Sequence, residues 1–390
     1  SFDDSSCCFI NFQQIGQDID GIHTHDFNGS SVSISDNGNI VAVGANSTDH
    51  NGTNSGSVSV YEYINGNLNQ LGSIIHGENS YDYFGEATSI SSNGITLAVG
   101  AWGSNENGSN SGHVRVFEYI SNNWIQIGQD IAGESSLDQS GSSVSINGSG
   151  DCVAIGAMGN DGNGNFSGHV RVYENVSGLW TQLGQDIDGE DIFDASGSSV
   201  SLNDFGNILA IGAKQNDGNG NSSGHVRVYE LINGLWIQLG QDIDGEYAYD
   251  YSGSSVSLSS DGNILAIGAK LNDGNGNNSG HVRVYEYILG NWTQIGLDID
   301  GDNIGDNFGA SLSLSGNGNS IVIGSPYGSL NNLTPGKVSV FNYLDSSWIK
   351  SDSFYGESNN DLFGWSAAIS DDSKTIVVGA KNNSDNALFS

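Results

Sequence analysis

Short apolar stretches alternate with polar turns along the whole chain, and the alternation repeats. In residues 254–259 (SSVSLS) small polar and apolar residues alternate, so every second side chain falls on one face of an extended strand. Asp261-Gly262 then supplies a tight hairpin turn into the apolar run 264–267. After a loop rich in Asn, Asp and Gly come the alternating stretch 281–287 (HVRVYEY), a turn around Gly290 and the aromatic stretch 291–295 (NWTQI). Four antiparallel strands in this order make one blade of a β-propeller.

The dipeptide that closes the apolar run stands at Gly44-Ala45, Gly100-Ala101, Gly156-Ala157, Gly212-Ala213, Gly268-Ala269, Gly324-Ser325 and Gly379-Ala380, in steps of 56 residues and a last step of 55. A second glycine keeps the same step at Gly29, Gly85, Gly141, Gly197, Gly253, Gly309 and Gly364. Two anchors in register predict an all-β, seven-bladed propeller of four-stranded blades, one domain over residues 1–390. Length alone would suggest two or three domains, but repeats that close into one body escape that expectation.

Small residues in the first strand suit the crowded centre of a ring. Trp124, Trp180, Trp236 and Trp292, followed by Trp348, recur in the fourth strand and are expected to pack between blades at the periphery. The other reading of these indoles is a sugar-stacking platform. Residues 12–16 (FQQIG) match the fourth strand although no blade precedes them. The N-terminus is therefore expected to supply the outer strand of the last blade, which removes exposed sheet edges. The last copy lacks a recognisable third strand, so residues 387–390 read either as a shortened version of it or as the point where a fragment of a longer chain stops.

Phe84-Gly85, Phe308-Gly309 and Phe363-Gly364, each followed by a Gly-Ala or Gly-Ser later in its copy, give the chain a pattern that resembles the FG-GAP repeats of integrin α-subunits. Ser140, Ser196 and Ser252 replace the Phe in three copies, and the family's proline appears only as Pro326. The resemblance implies a propeller that acts outside the cell in adhesion or assembly. It also implies calcium in the hairpin between the first two strands, in a loop patterned D-x-D-x-D-G-x-x-D. Here those turns are short, as in residues 203–207 (NDFGN) and 259–263 (SSDGN), so that calcium site is not carried over.

Charge narrows the partners. The chain has 45 Asp and Glu against 10 Lys and Arg, a formal net charge of −35. Such a surface repels nucleic acid and anionic membranes and attracts cations. No apolar run approaches the roughly 20 residues that span a bilayer, and residues 1–20 lack the pattern of a signal peptide, so the chain reads as mature and soluble. Cys7, Cys8 and Cys152 are too few and too scattered for a disulfide framework or a zinc site. N-x-S/T sequons such as Asn107 and Asn291 permit glycosylation in a eukaryotic source.

An oxygen-rich loop between the second and third strands is the leading metal candidate. It reads NDGNGNFSG at 160–168, NDGNGNSSG at 216–224 and NDGNGNNSG at 272–280. Alternate oxygens from Asp161, Asn163 and Asn165, from Asp217, Asn219 and Asn221, and from Asp273, Asn275 and Asn277 could surround a calcium ion. With one carboxylate per loop such sites would be weak, filled at extracellular and not at cytosolic calcium. The bland reading is that Asn, Asp and Gly form turns.

A second acidic element precedes each first strand. Asp138, Asp194, Asp250 and Asp306 recur three residues before the strand glycine and are expected to accept backbone N–H bonds that fix the crossover between blades. The stretch HVRVYE or HVRVFE sets Arg115, Arg171, Arg227 and Arg283 where they can pair with acidic groups of neighbouring blades. A cluster of several histidines is not expected, because a propeller holds equivalent residues apart. No single-copy nucleophile or carboxylate pair stands out, so the chain reads as a non-enzymatic, extracellular binding or structural module, stabilised by Ca²⁺, with a protein or glycan partner in a larger surface assembly. A multivalent glycan-binding propeller is the alternative; a propeller glycosidase or lyase would need one non-repeated acidic cluster at the central channel.

Overall fold

The computed structural model describes residues 12–383 apart from residues 24 and 332. Among them the strands form seven sheets, five of five strands, one of four and one of two. The fourth sheet shows the pattern. Ser196–Leu202 pairs with Ile208–Ala213, which pairs with His225–Ile232. The outer edge of that third strand is shared by Leu235–Gln238 and the two-residue strand Ile243–Asp244, all antiparallel. The second strand is an apolar run because it lies mid-sheet with a neighbouring sheet on each side: Leu209, Ala210 and Ile211 are buried. Each large aliphatic side chain so placed contributes roughly 1.5–3 kcal/mol.

Hydrogen bonds close the ring. On one face, the turns between first and second strands donate in sequence from Asp36 N–H to Ser92 O, then through Ser92, Gly148, Asp204, Ser260, Gly316 and Asp371 back to Asp36 O, at 2.9–3.3 Å. The ring therefore has seven members, of which six are complete blades and the seventh place holds two strands, Phe363–Ile369 and Ile376–Ala380.

The expected closing strand is not formed. Residues 12–16 run as irregular chain, because an outer strand needs a third strand to pair with and none is described there. The segment nevertheless occupies the outer-strand position. Phe12 packs edge-on against Phe354 at 6.3 Å, beside Phe363, Ile376 and Val378. Leu68 abuts Gly16 as Trp124 abuts Gly72. A cavity of about 1180 Å³ separates this segment from the seventh sheet. Residues 387–390, read as a possible third strand, lie outside the described residues.

The two glycine anchors explain each other. A Cβ on Gly156 would lie 2.1 Å from Gly197 O, one on Gly212 2.1 Å from Gly253 O, and one on Gly379 2.2 Å from Gly29 O. The first-strand serines use the same approach: Ser143, Ser199 and Ser255 each donate to the glycine carbonyl of the next blade at 2.8 Å. At the periphery Trp124, Trp180, Trp236 and Trp292 are 2–6% exposed. Each indole N–H donates to a carbonyl of the preceding blade, Leu71, Ile127, Leu183 and Leu239, at 2.8–2.9 Å.

Two glycines separate backbone strain from crowding. Gly197 and Gly178 both have positive φ, but a Cβ on Gly197 would stand 2.6 Å from His169 O and one on Gly178 would meet nothing within 4 Å. In denaturant unfolding Gly178→Ala is expected to cost about 1 kcal/mol, from the left-handed backbone alone. Gly197→Ala should cost about 2–4 kcal/mol because overpacking adds to it; equal losses would mean the blades can part at no cost.

Candidate functional site

One face of the ring carries the loops between second and third strands together with the crossovers between blades. The first step of its construction is a buried aspartate. Asp138 accepts the N–H groups of Glu134 and Ser135 at 3.1 and 2.8 Å. Asp194 and Asp250 accept those of Asp191 and Tyr247 and also the side-chain amides of Asn216 and Asn272 at 3.1 and 2.9 Å. Asp306 accepts from the Asn303 amide. These carboxylates pin the crossover to the neighbouring loop.

The oxygen-rich loops are braced by hydrogen bonds within the loop and onto the crossover. Oδ1 of Asp161, Asp217 and Asp273 accepts the N–H five residues on, at 2.7–2.8 Å. The amides of Asn163, Asn219 and Asn275 donate to Gly189, Gly245 and Gly301 on the crossovers. The main-chain carbonyls of Asn165, Asn221 and Asn277 take the N–H of Phe193, Tyr249 and Gly305. The three aspartates remain exposed at the rim. Of the alternating side-chain oxygens, those of the aspartates brace the loop, while the Asn residues reach the crossover through amide nitrogens and main-chain carbonyls.

Those last hydrogen bonds hold the crossover tips in a left-handed conformation, with φ of 68° at Tyr81, 72° at Leu137, 66° at Phe193 and 70° at Tyr249. Their side chains are 53%, 46%, 52% and 58% exposed, large apolar groups in four successive copies on one face. Nothing in the alternation of apolar residues marked them, since they sit in turns.

Beneath the tips lie the third-strand cations. Arg115, Arg171 and Arg227 meet Glu78, Glu134 and Glu190 at 2.8, 3.3 and 3.5 Å, and Arg171, Arg227 and Arg283 donate to the carbonyls of Ala132, Asp188 and Asp244. His113, His169, His225 and His281 open the same strands, almost fully enclosed. Burial first, and the adjacent arginine second, lowers each of these imidazoles to about 4. Each is neutral at neutral pH and faces carboxylates, not another histidine.

On the opposite face, three aspartates from the first, fourth and seventh sheets meet inside the ring of turns. Carboxylate oxygens of Asp36, Asp204 and Asp371 lie within 4.8 Å of one another, and this group could hold a cation. Burial raises all three, and Asp36 reaches about 6 with the charges of Asp371 and Asp204 adding to the effect. Sequence reasoning found no such single-copy cluster. The equivalent turn positions read Asp, Ser, Gly, Asp, Ser, Gly, Asp, and only ring closure brings the three acids together.

Residues 20–61, 77–117 and 244–285 match the model of the FG-GAP repeat family. The chain is an FG-GAP repeat β-propeller. The matches fall on first-to-third-strand units of the first, second and fifth sheets, the part of each copy in which the two glycine anchors meet. No curated protein matched the chain. No helix among the described residues is long and apolar enough to cross a membrane. The short turns of this FG-GAP propeller lack the family's calcium loop, and the carboxylates that meet among those turns are Asp36, Asp204 and Asp371.

The histidines set a pH dependence. Their folded-state values lie below the ordinary 6.5, so the unfolded chain binds the extra protons and stability falls as pH drops from 6.5 toward 4. Asp36, at about 6, and Glu106, raised to about 7 by burial and Asp130, act in the opposite sense, stabilising at low pH and losing that contribution as pH rises through those values. In chelator, the double variant His169→Gln, His225→Gln should lose less stability between pH 7 and pH 5 than the parent chain. An identical loss in thermal melts would show that these imidazoles do not titrate with unfolding.

Proposed function

We propose that this FG-GAP propeller is a non-catalytic binding and structural module that works outside the cell, with a protein partner seated on the loop face. The observation that carries it is the set of exposed Tyr81, Leu137, Phe193 and Tyr249 held at positive φ. A non-glycine residue there costs roughly 1–2 kcal/mol, and the sixth copy meets the same backbone requirement with Gly305. Four copies instead keep large apolar groups in water, the composition that protein interfaces bury. The recurrence of one polar framework from blade to blade fits a scaffold with repeated contacts. A glycan platform built on the tryptophans has less support, since the indoles of Trp124, Trp180, Trp236 and Trp292 are enclosed between blades.

Calcium belongs to this reading as the cation that a net charge of −35 draws from an extracellular medium, at weak sites on the exposed Asp161, Asp217 and Asp273. A millimolar Ca²⁺ supplement after EDTA should raise the melting temperature, and changing those three aspartates to Ala should abolish the rise. No shift at fixed ionic strength would remove calcium from the account.

The partner face can be tested in the extracellular medium of the producing cells with a photo-crosslinking residue at position 193 or 249, against a control at the exposed Phe205 in the turns of the opposite face. A discrete adduct from 193 and 249 that is absent from 205 is the expected result. Equal labelling from both faces, or none from either, would dismiss the loop face as the interface.

A further inference from the structure

Each of His113, His169, His225 and His281 is 1–2% exposed at the mouth of a blade interface. Two carboxylates converge on each ring: Glu106 and Asp130, Glu134 and Asp186, Glu190 and Asp242, Glu246 and Asp298, every set with its three ligand atoms within 4.8 Å of one another. Nδ1 stands 3.3 Å from Glu106 in the first set, 3.7 Å from Glu190 in the third and 3.8 Å from Glu246 in the fourth. His113 has a hydroxyl partner in Ser104 at 3.0 Å. No hydrogen bond reaches the rings of His169, His225 and His281 among the described residues; the nearest carboxylate oxygens stand at 3.7 Å (Glu190) and 3.8 Å (Glu246) from His225 and His281, and at 3.9 Å from His169, where the oxygen is that of Asp188, outside its set. A buried neutral imidazole without a partner, aimed at two acids, is an arrangement that a cation would complete.

The remaining copies are an internal control. In the first copy Ser57, Ile22 and Ile74 stand where the histidine and both carboxylates would be, so the whole set is lost together. In the sixth, Lys337 replaces the histidine and its ammonium pairs with Asp302, the counterpart of Glu246, while Ser353 holds the place of Asp298. In the sixth copy a built-in cation therefore occupies the space and one acid is gone.

We propose that the four histidine places are sites for a borderline divalent metal of the Zn²⁺ type, each bound by one imidazole nitrogen and two carboxylates, with water completing the shell. Two ligands on a tetrahedral zinc stand roughly 3.3 Å apart, so ligand atoms as much as 4.8 Å apart must close by up to about 1.5 Å. The glutamates, 35–47% exposed, can swing toward the imidazole and leave a path for entry, with Glu134 and Glu190 shared with Arg171 and Arg227. One oxygen of each aspartate is already fixed by the glutamine four residues earlier, Gln126, Gln182, Gln238 or Gln294, at 2.5–2.7 Å, an outer partner of the kind that orients metal ligands. An imidazole donor selects Zn²⁺, Co²⁺ or Ni²⁺ over Ca²⁺, which separates these places from the exposed loop aspartates.

Equilibrium dialysis of the untagged 390-residue chain against Zn²⁺ in excess Ca²⁺ tests this directly. Four zinc ions should be retained that excess Ca²⁺ does not displace, and Co²⁺ in their place should give visible absorption of nitrogen and oxygen ligation. His225→Lys, copying the sixth blade, should lower the count by one while keeping the melting temperature in chelator, and Asp242→Asn should weaken the same site. The proposal is overturned if no zinc is retained, if both variants bind as many ions as the parent, or if Ca²⁺ displaces the zinc.

Discussion

The ring depends on backbone meeting backbone between blades. At every interface the glycine that closes the second strand faces the carbonyl of the glycine that opens the next first strand, so closely that neither can carry a Cβ. That contact sets the blade spacing near the axis. Outward from it the gap widens, and the side chains grow with it: serine hydroxyls on glycine carbonyls, then the Val, Ile and Leu of the middle strands, then an indole that reaches across to hydrogen-bond the preceding blade. Gly379 against Gly29 repeats the contact between the last sheet and the first, which is why the ring closes although its seventh sheet has two described strands.

The loop face is hung from the same anchor. Three residues before each strand glycine an aspartate caps the crossover, and the crossover tip is then fixed by the loop of the adjacent sheet. Tips such as Phe193 and Tyr249 are therefore held by hydrogen bonds on rigid strands, so their exposure is a stable feature of the fold.

Much of this was legible in the sequence because it is local and repeated. The 56-residue step, the small first strand and the tryptophan periodicity each follow from residues whose neighbours recur at a fixed offset. What escaped the sequence depends on direction or on closure. The spacing of Asp161, Asn163 and Asn165 gives oxygens at alternate positions, but only the fold shows that Asp161 accepts within the loop while Asn163 donates its amide, and Asn165 offers its main-chain carbonyl, to the crossover. Asp36, Asp204 and Asp371 are far apart in the chain and unremarkable in their turns, and they meet only because seven turns close one circle. The match of residues 12–16 to an outer strand was correct as to place, yet pairing needs a partner strand that sequence similarity cannot supply.

Charge placement links the scaffold to its chemistry. Of 10 Lys and Arg, Arg115, Arg171, Arg227, Arg283 and Lys337 are buried between blades, so half of the positive charge is withdrawn from the surface. Each arginine satisfies a carboxylate or a crossover carbonyl and, by its own field, helps keep the neighbouring imidazole neutral. The acids that remain outnumber their partners on both faces, and burial raises Glu190, Asp188, Asp244 and Asp36 because no fixed cation offsets their desolvation fully. A molecule built this way stabilises its interfaces with the few cations it has and leaves its loops and axis to be neutralised by protons or by ions from the medium.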